Sequence, residues 1–233
     1  MDTADRRTVH ARLAPRRGAA RATRWWGKAW VRAVEEAAYT EPDLRAGRAL
    51  ARAGRVGGIT VDVGGFVASV EDDGSLVTAS GAVPVLDEAG RAALVETVAA
   101  ESGRVAALLA GDLPHSLVEH ADQMGVELLP YGAELATTCT CDFWADPCPH
   151  ALAVLYQLAW LVEADPFVLL HLRGLPREQL LADLHARTVT TPTEETEAPG
   201  HADDVDTALD AAVRAARILE LLDDPARAVD HLF

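Results

Sequence analysis

All three cysteines of this 233-residue chain lie within ten residues, in Cys139-Thr140-Cys141-Asp142-Phe143-Trp144-Ala145-Asp146-Pro147-Cys148-Pro149-His150. A C-x-C pair followed six residues later by C-x-H supplies four soft or borderline ligands, the number a tetrahedral zinc ion takes. One ion held by all four would force both ends of the segment to a single point. In an extended strand residues i and i+2 share a face, so Cys139 and Cys141 can converge. Asp142 to Pro147 is long enough to turn back, with Asp146-Pro147 as a turn pair. Cys148 then falls at a helix cap, with Pro149 at the first helical position, where its missing N–H leaves nothing unpaired, and His150 just inside. The free amides and partial positive charge of a helix N-terminus stabilise thiolate. Thr138 and Thr140 are expected to add hydroxyl donors beside the sulfurs. Four protein ligands fill the coordination sphere, so the expected cofactor is one structural Zn²⁺ per chain with no open position for water.

Other readings of the cluster stay open. The cysteines could be unliganded, small buried residues. A Cys139–Cys141 disulfide would close a strained ring. A Cys148–His150 nucleophilic pair or a thiol redox sensor would give Cys148 a role and leave Cys139 and Cys141 without an obvious one. Iron–sulfur ligation suits one histidine and three close cysteines less well than a single tetrahedral ion does.

The net charge of −15 conceals an asymmetry: residues 1–60 carry thirteen Lys/Arg against six Asp/Glu, and residues 61–233 carry eight against thirty. An acidic surface repels a nucleic-acid backbone, so any phosphate contact belongs to the N-terminal quarter. The one lysine is Lys28, and no G-x-x-x-x-G-K-[ST] loop occurs, which excludes a P-loop ATPase within this sequence. No G-x-S-x-G, G-x-G-x-x-G or H-E-x-x-H pattern is present. The first 22 residues hold six arginines and no apolar segment of signal-peptide type. The longest apolar run, Ala151 to Val162, is too short to span a bilayer. Three clustered cysteines give no disulfide framework. Together these imply a reducing cytoplasm and no membrane association.

The pattern predicts an α+β fold. A helix from Thr23 follows from the spacing of Trp26, Trp30, Val34 and Ala37. Alternating apolar residues in Ile59–Val63, Phe66–Val70 and Leu76–Val85, with Gly64-Gly65 and Asp73-Gly74 as turns, predict a small antiparallel sheet of about three strands. A long helix from Asp87 with Gly103 as an interruption, a helix over 114–124, an apolar helix over 149–163 stopped at Asp165-Pro166, and a helix over 177–185 follow. Residues 188–200 are rich in Thr, Glu and Pro, a solvated composition. The expected organisation is a basic flexible arm at 1–22, an α+β domain at 23–135, a zinc finger with its following helices at 136–186, a linker at 187–203 and a C-terminal helix at 204–233.

The C-x-C-x6-C-x-H arrangement entering an apolar helix resembles the SWIM zinc finger, a family first described in Swi/Snf-type ATPases and MuDR transposases. Asp142-Phe143-Trp144, Pro147 to His150 and Ala153 to Tyr156 are similar to the body of bacterial SWIM proteins. So are Trp25 to Trp30, Gly47-Arg48 to Val56, Asp165-Pro166-Phe167 and Leu172-Arg173-Gly174. The resemblance spans about residues 23–185. It implies a zinc-stabilised ββα module credited with DNA binding or protein–protein contact, without catalysis of its own, and a companion Swi/Snf-type helicase-like ATPase on another chain.

For a DNA contact the candidates are Arg16, Arg17, Arg21, Arg24 and Lys28, near Trp25 and Trp26, since arginine meets phosphate and tryptophan can stack on bases. Trp26 and Trp30 at i, i+4 also fit core anchors. Asp142 and Asp146 lie between the expected metal ligands and argue against duplex reading by the finger itself. A pure protein-interaction module is the alternative, using the acidic surface and the C-terminal helix.

Overall fold

A computed structural model describes residues 7–16 and 22–190. The chain divides into two compact units, 1–186 and 187–233. The C-terminal helix expected at 204–233, most of the linker before it, and Arg17 and Arg21 lie outside the described residues.

Five antiparallel strands form one sheet in chain order: β1 (Thr8–His10), β2 (Val56–Asp62), β3 (Gly65–Asp72), β4 (Ser75–Ala82) and β5 (Ala136–Cys139). The central three are those the alternation predicted. Their buried residues, among them Val56, Ile59, Val61, Phe66, Ala68, Val70 and Ala79, line the core. Asp73 and Gly74 both adopt positive φ, 44° and 78°, as a two-residue hairpin turn between β3 and β4 requires.

The two outer strands were not foreseen. β1 comes from the arm expected to be flexible: Thr8, Val9 and His10 pair with Val61, Thr60 and Ile59. Arg7 joins Asp62 at 2.9 Å, the Arg12 Nε–H donates to Gly54 O and the Arg16 N–H to Arg52 O. Three paired residues are too few to leave an alternating signature. β5 belongs to the finger segment and pairs with β4, Ala79 opposite Cys139. The finger is therefore continuous with the main sheet, which supplies the partner for its strand.

Among the described residues eight α-helices follow in the order α1 (Trp25–Ala37), α2 (Glu41–Arg52), α3 (Glu88–Ala99), α4 (Ser102–Leu109), α5 (His115–Gln123), α6 (Pro149–Ala164), α7 (Pro166–Leu172) and α8 (Arg177–Thr190). Helix α2 was absent from the sequence reading, although Thr40 caps it by accepting from the Asp43 N–H and Pro42 stands in its first turn. The long helix expected from Asp87 breaks at Ala100–Glu101, before Gly103, into α3 and α4. Helix α8 continues past His185 to Thr190, into the stretch read as linker.

Helix α6 runs through the middle of the protein. It packs against α1 and α2 on one side and β2 to β5 on the other, which is why it is apolar nearly all round. Gln157, its one fully buried polar residue, donates to Ala51 O at the end of α2. The Trp26 and Trp30 indoles donate to Val162 O and Leu155 O, bolting α1 to α6. Both rings are core anchors. Asp165 caps α7 by accepting from the Phe167 N–H, and the chain bends by 120° between α6 and α7. Among the described residues no single helix is long and apolar enough to cross a membrane.

Candidate metal centre

Strand β5 carries Cys139 to the sheet edge, and the strand stays extended one residue further. The Thr140 N–H donates to Thr78 O, and Thr140 Oγ1 accepts from the Thr78 N–H, each at 3.0 Å. Cys141 follows on the same face as Cys139. The segment Asp142–Pro147 then turns back, with Asp146–Pro147 in the cis form. Cys148 is the N-cap of α6, its Sγ accepting from the Ala151 N–H at 3.4 Å, and Pro149 is the first helical residue.

This places the ligand atoms of Cys139, Cys141, Cys148 and His150 within 4.8 Å of one another. Cys148 Sγ and His150 Nδ1 are 3.9 Å apart. Tetrahedral zinc with thiolate bonds near 2.3 Å sets its ligands about 3.8 Å apart, so little contraction separates the cluster from that geometry. Three thiols and an imidazole nitrogen form a soft set that suits zinc. The four residues are compatible with one zinc ion, and they leave no coordination position vacant for water.

The acid–base state of the sulfurs is uneven. Burial pushes the Cys148 thiol up to about 12, its neighbours Cys141 and Cys139 adding to the effect. Burial also raises Cys139. For Cys141 burial acts upward too, but hydrogen bonds from the Phe143 N–H, His150 and the two other sulfurs outweigh it and bring the thiol down. A divalent ion would displace the thiol protons on binding.

A residue outside the motif completes the centre. The His150 Nε2–H donates to Asp72 Oδ2 at 3.0 Å, across 78 positions of sequence. This is the carboxylate–imidazole pairing that orients metal-bound histidines. Thr138 and Thr140 do not take the part expected of them. Thr140 is bound to Thr78, and Thr138 lies exposed opposite Ser80. Backbone N–H groups of Cys141, Phe143 and Ala151 serve the sulfurs instead.

Residues 125–159 match the family model of the SWIM zinc finger. This segment is a SWIM zinc finger. The chain is also similar to the uncharacterized protein Rv2102 of Mycobacterium tuberculosis, 33% identical over 164 residues that make up 70% of this chain and 59% of the relative. It therefore spans less than two thirds of that protein's length. No solved structure matches the chain. The match to the SWIM finger covers β5, the ligand loop and most of α6, and Asp72 lies outside it.

The basic candidates separate. The Arg16 guanidinium lies 4.3 Å from the Trp160 ring centre. Arg24 donates to Gly111 O at 2.8 Å and approaches Asp112 at 3.4 Å. Lys28 is exposed on the wall of a groove between α1, α2 and α6. The arginines of α2 line the same groove, and the apolar spacing of that segment does not mark it as a helix. Beside the SWIM finger, Tyr39 (70% exposed) meets Trp144 (69% exposed) edge-to-face at 4.9 Å, and Phe143 stacks on Trp144 at 5.8 Å.

Proposed function

We propose that this protein is a non-enzymatic, DNA-associated adaptor that works in the cytoplasm beside a helicase-like ATPase encoded as a separate chain. The observation that carries the reading is the saturated ligand set of the SWIM finger, rooted in β5 at one end and in the buried helix α6 at the other. A metal held in that way fastens structure, and recognition falls to the surfaces it fixes. The sequence has no phosphate-binding loop of its own, so the motor in this reading is another protein. Elemental analysis of protein purified under reducing conditions should give one zinc per chain. A native pull-down should recover the ATPase with the intact protein and lose it with Cys148→Ser; recovery of no ATPase would remove the partner from the proposal.

A second reading, a protein-interaction module without nucleic-acid contact, is favoured by the exposed rings of Tyr39, Phe143 and Trp144. Aromatic side chains in such a position are common anchors of interfaces, and Asp142 and Asp146 beside them repel phosphate. Under this reading Trp144→Ala abolishes partner capture with zinc content unchanged, and the purified protein shows no affinity for DNA.

A further inference from the structure

The groove between α1, α2 and α6 has a volume of about 670 Å³ and is lined by Lys28, Arg32, Arg45, Arg48 and Arg52 against one carboxylate, Glu35. In a chain of net charge −15, five cations on one concave surface are a strong segregation of sign. Arg16 adds a sixth, lying over Trp160, which itself lines the groove.

The cations are not all spoken for. Arg48 meets Glu35 at 2.7 Å, Arg32 meets Glu36 at 2.9 Å and Arg45 meets Glu41 at 3.6 Å. Exposed pairs of this kind hold together by less than about 1 kcal/mol and exchange readily for a stronger anion. Among the described residues neither Lys28 nor Arg52 has a carboxylate partner, and both are exposed.

Their placement argues for an extended anion. Lys28 and Arg32 are one turn apart on α1, and Arg45, Arg48 and Arg52 follow one another at three- and four-residue steps on α2. At 1.5 Å per residue each row repeats charge every 4.5–6 Å or so. A small anion would need these groups to converge on a point, whereas a repeating chain of phosphates meets them in series. The aromatic rings do not favour base reading. Trp160 is 5% exposed beneath Arg16, and the Tyr156 hydroxyl accepts from the Arg48 Nε–H at 2.7 Å.

We propose that this groove binds the phosphodiester backbone of a nucleic acid without reading its bases, an inference that rests on the DNA-associated reading above and moves the contact from the arm to α1 and α2. Lys28→Gln combined with Arg52→Gln is the diagnostic variant, because both side chains are exposed and neither is in a carboxylate pair. Fluorescence anisotropy of the full-length, zinc-loaded chain would be followed over a salt series with labelled single-stranded and duplex oligonucleotides of scrambled sequence. The double variant should lower the slope of log affinity against log salt by roughly 1.4 on single strands and 1.8 on duplex, two contacts at 0.7–0.9 each. Arg24→Gln, outside the groove, should leave the slope unchanged, as should scrambling the sequence. An unaltered melting temperature would show that the double variant keeps its fold. Binding by the parent with an unaltered slope in the double variant overturns the groove while leaving the DNA-associated reading standing. Failure of the parent to bind either oligonucleotide overturns both. Polyglutamate binding as tightly as DNA, with the same loss in the double variant, overturns the nucleic-acid assignment in favour of an acidic protein partner.

Discussion

His150 can offer a metal either ring nitrogen, and the 3.0 Å bond from its Nε2–H to Asp72 leaves Nδ1 to face the three sulfurs. Asp72→Ala should therefore keep all four ligands and weaken zinc binding about 10- to 100-fold, measured by chelator competition. Wild-type affinity in that variant would show the carboxylate to be incidental. A second carboxylate works far from the metal. Helix α1 has no side-chain cap of its own, and Glu163 of α6 fills the place, its Oε1 accepting from the Thr23 and Arg24 N–H groups and the Thr23 hydroxyl. Burial pushes the Glu163 carboxyl up, but these bonds outweigh it and hold the group below its ordinary value. A lowered folded-state pKa stabilises above the unfolded pKa and loses its contribution as pH falls through the folded one. The stability gap between wild type and Glu163→Gln should thus be full at neutral pH and close in acid, as read from denaturant melts of both proteins at each pH. A gap that does not change with pH would count against the capping role. These two carboxylates could not be read from the sequence, because each acts on a partner brought near only by the fold. The cysteine and histidine ligands could be read, since they are neighbours in the chain.

Among the elements, the helix that follows the ligands was the plainest in the sequence and is the most buried in the structure. Its apolar faces reflect contacts on every side, with α1, α2 and the sheet. One close approach is at Gly47 of α2, where an added Cβ would stand 2.7 Å from the Cβ of Leu152 and 3.1 Å from the Pro149 carbonyl oxygen. Gly47→Val should cost about 1–3 kcal/mol through overpacking, measured by denaturant unfolding, and should weaken zinc binding because Pro149 separates Cys148 from His150. A stable variant with reduced zinc affinity would confine the effect to the metal centre; no change in either would refute the tight α2–α6 contact. Helix α2 escaped the sequence reading because its apolar residues are few and its exposed face is arginine-rich, so the cap at Thr40 was the available signal. Strand β1 has only three paired residues, too short for periodicity to show. The break between α3 and α4 falls at Ala100–Glu101, where Glu101 leaves helical backbone, two residues before Gly103.

Across the whole molecule, charge and architecture divide along the same lines that composition suggested. The basic N-terminal quarter supplies the groove, and Asp72, Asp142 and Asp146 of the acidic remainder stand at the metal site. The mutual position of sheet and finger was hidden from the sequence, because β4 and β5 are separated by α3, α4 and α5 before they pair. That pairing has a consequence beyond local stability. β5 is four residues long and lies at the border of the sheet, so the ion that secures it also shields the backbone amides of β4. An open strand border is a template for joining another chain. Chelation should free β5 and lead the protein to associate with itself strand to strand, more so at high salt, where the repulsion due to its net negative charge is screened. Light scattering after chelator addition should rise with protein concentration and fall back when zinc is restored; a metal-stripped protein that stayed dispersed at high salt would argue otherwise. In this view the zinc finger protects solubility, and metal supply would set how much of the protein stays free of its own copies.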